Sequence, residues 1–353
     1  MRGRLISWGL VVLLSYLAPS LAAAAGTECW KCHTMHNSQG GLAVTGANIP
    51  MLLMYNTCLG VTACHTGTNS ATIKYYVLTT AAVPTATQLA GGNFYWTEQG
   101  ATATFDAKAH NVTSLTVNNN DETLADTPPG GTALTGNITC AGATGCHGKR
   151  DVASLNQFED MGRAHHSNKS GQISVAGATT PGASYRFLKG VAGYEDPDRE
   201  YAGSVTTALH NEYYGEARVN DSASSTATIS YLCAKCHPNF HNDSGGQPLA
   251  NGASNFASPW LRHPTDFRVP NSGEYTAYYT AGYNVTVPVA RTTVPAASSA
   301  SVTGAGTTDA IIMCLTCHRA HGSAYDDILR WDYKAWPGTP GTDGCYTCHS
   351  VKN

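Results

Sequence analysis

Residues 29–36 read CWKCHTMH, and the way this octapeptide is read decides the fold. Its first five residues, Cys29-Trp30-Lys31-Cys32-His33, have the C-x-x-C-H spacing of c-type haem attachment. Two thiols add to the two vinyl groups on one edge of a haem, and the next residue swings its imidazole under the iron. Redox and zinc uses of C-x-x-C place no such demand on the residue that follows. The spacing recurs at Cys233/Cys236/His237, Cys314/Cys317/His318 and Cys345/Cys348/His349. With 12 cysteines and 14 histidines in 353 residues, chance supplies roughly 0.02 copies of the motif. Four copies are a strong signal.

Four cysteines remain. Cys58 and Cys64 read CLGVTACH, ending in His65, and Cys140 and Cys146 read CAGATGCH, ending in His147. Both pairs enclose five residues instead of two, both keep the terminal Cys-His, and both loops consist of small residues. A loop that bulges away from the porphyrin still delivers both sulfurs. The competing reading is a disulfide beside a stray histidine. Haem attachment at all six sites uses every cysteine, and it sets aside the six disulfides that twelve cysteines in an exported chain would otherwise suggest.

Six histidines are then proximal iron ligands: His33, His65, His147, His237, His318 and His349. Eight remain for six distal positions, close to the number that bis-histidine ligation throughout requires. His36, His241 and His321 follow a proximal histidine by three or four residues, in CHTMH, CHPNFH and CHRAH. His110 lies in DAKAHNV and His263 in WLRHPTDF, where the proline restricts the backbone. His165 and His166 are adjacent, so in an extended segment they point opposite ways and one of the two is the ligand. His210, in ALHNEYYG, is the weakest candidate, with a propionate contact or a core position as its other readings. Methionine ligation would raise a haem potential, but Met51 and Met54 read as core residues in IPMLLMY.

If residues 33–36 are helical, His33 and His36 leave one face roughly 5–6 Å apart at Cβ. Axial ligands to one iron approach from opposite sides, so His36 is expected to serve a different haem. The same reasoning applies to His318/His321 and less strictly to His237/His241.

The chain opens MRGRLISWGLVVLLSYLAPSLAAAAG, a basic start, a short apolar run and small residues. This pattern is a secretory signal peptide over residues 1–25, followed by one cytochrome domain over residues 26–353. Removing Arg2 and Arg4 takes the formal charge from −3 to −5. No basic patch suggests nucleic acid, and no stretch beyond the leader is apolar enough to span a membrane. Charged residues are 13%, against roughly 25% in an average soluble chain.

The proximal histidines cluster in pairs near the two ends, with no fixed repeat between them. Turn formers dominate the spacers, as in PAASSASVTGAGTTDA. Short strands are expected over Thr72–Thr79 and Asn284–Ala290, helical turns after several haem motifs, and a short helix over Tyr325–Trp336. None is long enough for a conventional layered core. The expected fold is a multihaem c-type cytochrome, mostly irregular, with short helices and few short strands wrapped around a chain of haems.

CHTMHNSQGG at Cys32–Gly41, AHNV at His110, CAKCHPNFHN, LRHP at His263, CLTCHRAHGS and the C-terminal CYTCH together resemble the multihaem cytochromes displayed outside metal-reducing bacteria. Within them the match is to the OmcS-type hexahaem subunits of extracellular nanowires. The two widened motifs depart from that pattern, and the third motif lacks a histidine just downstream, which His165 or His166 replaces. The resemblance implies six low-spin haem c groups, an extracellular place reached through the periplasm, and redox proteins and extracellular acceptors as partners. It also implies self-assembly into filaments in which His36 ligates a haem of the adjacent subunit. Two other functions fit the same motifs: a monomeric electron shuttle, and a multihaem reductase with one open iron face.

Overall fold

The account rests on a computed structural model, which describes residues 28–98, 107–115, 127–151, 156–167, 170–202, 205–218, 225–241, 265–304, 307–335 and 344–351. The leader and His263 lie outside the described residues.

Little of the described chain is regular. Its α-helices are single turns, the longest being Ile229–Ala234 and Thr276–Ala281. The helical turns mostly contain the attachment cysteines instead of following them: Ile229–Ala234 carries Cys233, Cys314–Cys317 is itself a turn, and Gly344–Cys348 holds the last pair. Only Pro238–Phe240 is a turn that follows directly on a motif histidine. The reason is local. In all four C-x-x-C-H sites the histidine N–H donates to the carbonyl of the first cysteine, at 2.8 Å for His33, 3.0 Å for His237 and His318, and 2.9 Å for His349. That i to i−4 bond is one turn of α-helix.

Six short strands from distant parts of the chain form one sheet. Their order is Gly171–Ile173, Gly193–Glu195, Glu212–Tyr214, Ala290–Arg291, Ile311–Ile312 and Phe267–Arg268. All neighbours are antiparallel except Glu212–Tyr214 with Ala290–Arg291, where Tyr213 pairs with Ala290. One small core lies on it: Ile173, Tyr185, Leu188, Val191, Tyr213, Ile229, Leu232, Ile311 and Met313. The packing is close enough that a Cβ at Gly215 would sit 2.7 Å from the Ala290 side chain.

Several local expectations are corrected. Thr72–Thr79 joins no named strand; its one β-bridge pairs Leu78 with Thr66, and the Phe94 N–H donates to the Val77 carbonyl at 2.9 Å. Asn284–Ala290 contributes only its last residue, at Ala290–Arg291, since Pro288 has no N–H to give a ladder. Within Tyr325–Trp336 the described residues form two 3-10 turns, Asp326–Ile328 and Tyr333–Ala335, and Asp327 takes φ +57°, which a helix does not admit. Met51 and Met54 are half-buried at a cavity wall, not in a core.

The segment after His33 is not helical either. His33 bridges Leu53, and Met35 bridges Ser38 around a two-residue turn at His36 and Asn37, with φ of +51° and +56°. Positive φ at both central residues is the type I′ requirement, and His and Asn tolerate it better than most side chains. A second tight turn at Gly40 and Gly41 closes the hairpin of Ser38–Gln39 with Leu42–Ala43. His36 therefore stands exposed at a turn tip, outside the cavity that His33 lines.

Candidate functional site

One cavity of about 4220 Å³ runs through the molecule, and all twelve cysteines line it. Pockets for one small ligand hold about 300–1,000 Å³, so this space suits several. All twelve cysteines are free thiols in this structure. Burial pushes the thiols of Cys64, Cys317 and Cys348 up to about 12, so they stay protonated.

The widened motifs reach the geometry of the short ones by different routes. In the first, the His65 N–H donates to the Cys58 carbonyl at 3.0 Å, the bond that a C-x-x-C-H site makes four residues apart. The added residues loop out, leaving Val61 exposed beyond a Gly60 at φ +137°. In the second, Thr139–Ala141 and Gly145–His147 pair as a parallel ladder, which brings Ala141 opposite His147. A Cβ at Gly145 would fall 2.7 Å from the Ala141 carbonyl carbon, so the fold-back needs glycine there.

The thiols of successive motifs are neighbours. Cys32 lies within electrostatic reach of Cys64, and the thiols of Cys58 and Cys140 are hydrogen-bonded. Cys146 lies near Cys236, the Cys233 and Cys314 thiols are hydrogen-bonded, and Cys317 lies near Cys345 and Cys348.

Among the described residues ten histidines line the cavity: the six proximal ones, with His110, His165, His166 and His321. Five of the proximal rings are held the same way. Nδ1–H donates to a backbone carbonyl, from His33 to Met51 at 3.1 Å, from His65 to Tyr75 at 2.9 Å and from His147 to Arg186 at 3.0 Å. His237 does so to Pro129 and His318 to Asp327, both at 2.7 Å. His110 is held likewise by Ala320 at 2.7 Å. Fixing Nδ1–H leaves Nε2 as the bare nitrogen, the usual arrangement behind a metal-bound imidazole. Burial lowers His147 and His165 to about 4 and His321 to about 3, which keeps them in the neutral form that binds metal.

Four pairs of rings face one another: His33 and His166, and His65 and His165, with centres 6.1 Å apart, and His110 and His237, and His147 and His321, 6.3 Å apart. A metal–imidazole bond of about 2.0–2.1 Å on each side of one ion puts ring centres about 6.3 Å apart. The cavity is therefore dimensioned for metals between histidine pairs, and the cysteines beside them make c-type haem the group that fits. His165 and His166 both face proximal histidines, because Ala164–His166 is a 3-10 turn and not an extended segment.

The remaining candidates sit elsewhere. His210 is fully buried off the cavity, with Nδ1 on the Thr206 carbonyl at 3.2 Å, Nε2 on Glu212 at 3.0 Å, and its ring stacked on Tyr283. It is a core histidine. His241 is also buried, its Nε2 2.9 Å from Asp266 Oδ2. Asp266 in turn accepts from the Thr228 hydroxyl at 2.8 Å. These carboxylate partners could not be anticipated, since Glu212 and Asp266 carry no motif.

Residues 308–353 match the doubled CXXCH motif family. The chain is 27% identical to C-type cytochrome OmcS of Geobacter sulfurreducens, over 92% of this chain and 85% of that protein. The chain has the fold of a multihaem c-type cytochrome. A solved Outer Membrane Cytochrome S filament from the same organism superposes with a TM-score of 0.50 at 22% identity, covering 88% of this chain and 84% of that one. Among the described residues no helix is long and apolar enough to cross a membrane.

Proposed function

We propose that this chain conducts electrons outside the cell through six covalently held c-type haems, as the subunit of a filament, with no catalysis at any one iron. The observation that carries the reading is four histidine pairs at 6.1–6.3 Å inside a cavity lined by all twelve cysteines. Shared six ways, that volume is about 700 Å³ per haem, within the range of a single-ligand pocket. Bound haem supplies an iron that takes up and releases one electron. The protein's part is to hold the groups edge to edge and close both axial faces.

The thiol contacts support a row in sequence order, from the site at Cys29/Cys32 to that at Cys345/Cys348. Adjacent His165 and His166 serve the second and first sites, which ties those two together. His321 serves the third site from a loop that begins at the fifth. The four pairs leave the sites of His318 and His349 to His263 and to His36 of an adjacent subunit. His241 and His210 are committed to carboxylates instead. The exposed turn tip at His36, among exposed Trp30, Met35, Leu42 and Ile49, suits contact with a second copy. The likeness to OmcS, known as a filament, supports the same assembly. It also supports an extracellular place. Export through the periplasm with loss of residues 1–25, leaving a single domain over residues 26–353, is supported by the basic, apolar and small-residue run of the leader.

Carbon monoxide separates this reading from a reductase, which needs an open iron. The reduced native protein is expected not to bind it rapidly, and rapid binding would revive the enzyme reading. Electron micrographs of secreted protein are expected to show filaments, whereas particles alone would favour a shuttle.

Gly91 gives a sharper check on one ligand. An added Cβ there would stand 2.8 Å from His321 Nδ1 and 3.0 Å from its Cε1. Gly91→Ala is expected to displace that ring and convert one iron per subunit to high spin, read by electron paramagnetic resonance. The number of attached haems is expected to stay the same.

A further inference from the structure

One proximal histidine is held differently from the other five. Behind His349, Nδ1 lies 3.3 Å from Oε1 of Glu274 in a charge contact that is not a hydrogen bond, where the others donate to a backbone carbonyl. The placement is built in. Glu274 lies in the 3-10 turn Gly273–Tyr275, which is pinned from the haem-motif side because the Ser350 hydroxyl donates to the Glu274 carbonyl at 2.6 Å. Next to it the Tyr275 ring meets the His349 ring edge to face, centres 5.4 Å apart. Both partners are mostly buried, with 18% of the His349 side chain and 15% of Glu274 exposed.

A carboxylate this close sets a negative charge beside the imidazole that would hold the iron, where the other five rings have a neutral carbonyl. In a mostly buried place that charge favours ferric over ferrous iron and lowers the reduction potential.

We propose that the charge of Glu274, held against the His349 ring, makes the haem at Cys345/Cys348 more reducing than a carbonyl-backed site would be. This rests on the haem assignment above. The row then has two unlike ends. Electrons entering at the C-terminal site move onward to sites that hold them more readily, and electrons arriving there from within the row meet a rise. The device sets a preferred direction inside each subunit without changing any iron ligand.

The test uses Glu274→Gln in the full holoprotein, which keeps shape and a polar group but removes the charge. Haem-peptide mapping of the wild type comes first: no haem on the Cys345/Cys348 peptide would sink the site assignment itself. With that haem present, optical redox titration of the variant is expected to show one component easier to reduce by tenfold or more in equilibrium constant, about 59 mV for one electron. One component of the ferric near-infrared charge-transfer band is expected to move with it. Glu274→Ala should shift the same component in the same direction. An unmoved titration in Glu274→Gln with the haem in place, or an equal drift of every component, would overturn the proposal.

Discussion

Replacing Glu212 with Ala is expected to cost about 3–5 kcal/mol of stability, the penalty for leaving a buried charge without its partner. Glu212 is 0% exposed and Arg291 5% exposed, and the Arg291 Nε lies 3.0 Å from Glu212 Oε2. The same carboxylate accepts from the Ser299 N–H at 2.8 Å and faces His210 Nε2 at 3.0 Å. Removing it strands a guanidinium and an imidazole in the interior, beneath the parallel pairing of Glu212–Tyr214 with Ala290–Arg291. A single domain has only about 5–15 kcal/mol of net stability, so the variant is expected to accumulate poorly and melt early. Glu212→Gln keeps hydrogen bonds but not the charge, and should fall between. Thermal melts followed in the Soret band compare the three. An alanine variant with wild-type melting would show that bound haem, not this cluster, holds the sheet.

The second large effect is expected at His36. His36→Ala should leave every haem attached, since no attachment cysteine is touched. It should shorten or abolish filaments, and one iron per subunit should lose its sixth ligand. The structure strengthens the geometric half of that argument while replacing its premise. The helix assumed over residues 33–36 does not form, and the I′ turn instead carries His36 outward, away from the cavity. A side chain on such a tip is placed to reach another molecule. Normal filaments with unchanged low-spin spectra would sink the assignment.

The haem-bearing residues were the most legible part of the sequence, because covalent chemistry fixes their spacing: C-x-x-C-H must bring two sulfurs and an imidazole to one porphyrin. The widened pairs were legible through their terminal Cys-His, and their cysteines line the same cavity. Pairing of the histidines was not. Whether His165 and His166 both face the cavity depends on a 3-10 turn entered through Arg163 at φ +62°, and nothing in RAHHSN announces that turn. The sheet was equally hidden. Its strands are two or three residues long, shorter than any window in which alternation can be counted, and partners such as Tyr213 and Ala290 lie far apart in the chain. The failure of Tyr325–Trp336 as a helix has one visible cause, the left-handed Asp327, whose carbonyl is thereby turned to receive the His318 Nδ1–H at 2.7 Å. There the demands of the haem site overrode local helix preference.

The central claim is that all twelve cysteines carry haem, two to each group, including the pairs five residues apart. Intact mass spectrometry of the mature holoprotein, followed by mapping of haem-bearing peptides, tests it most directly. The account predicts six covalent haems, with one each on the Cys58–Cys64 and Cys140–Cys146 peptides. A mass short by two haems, with those four cysteines bare or joined as disulfides, would contradict it.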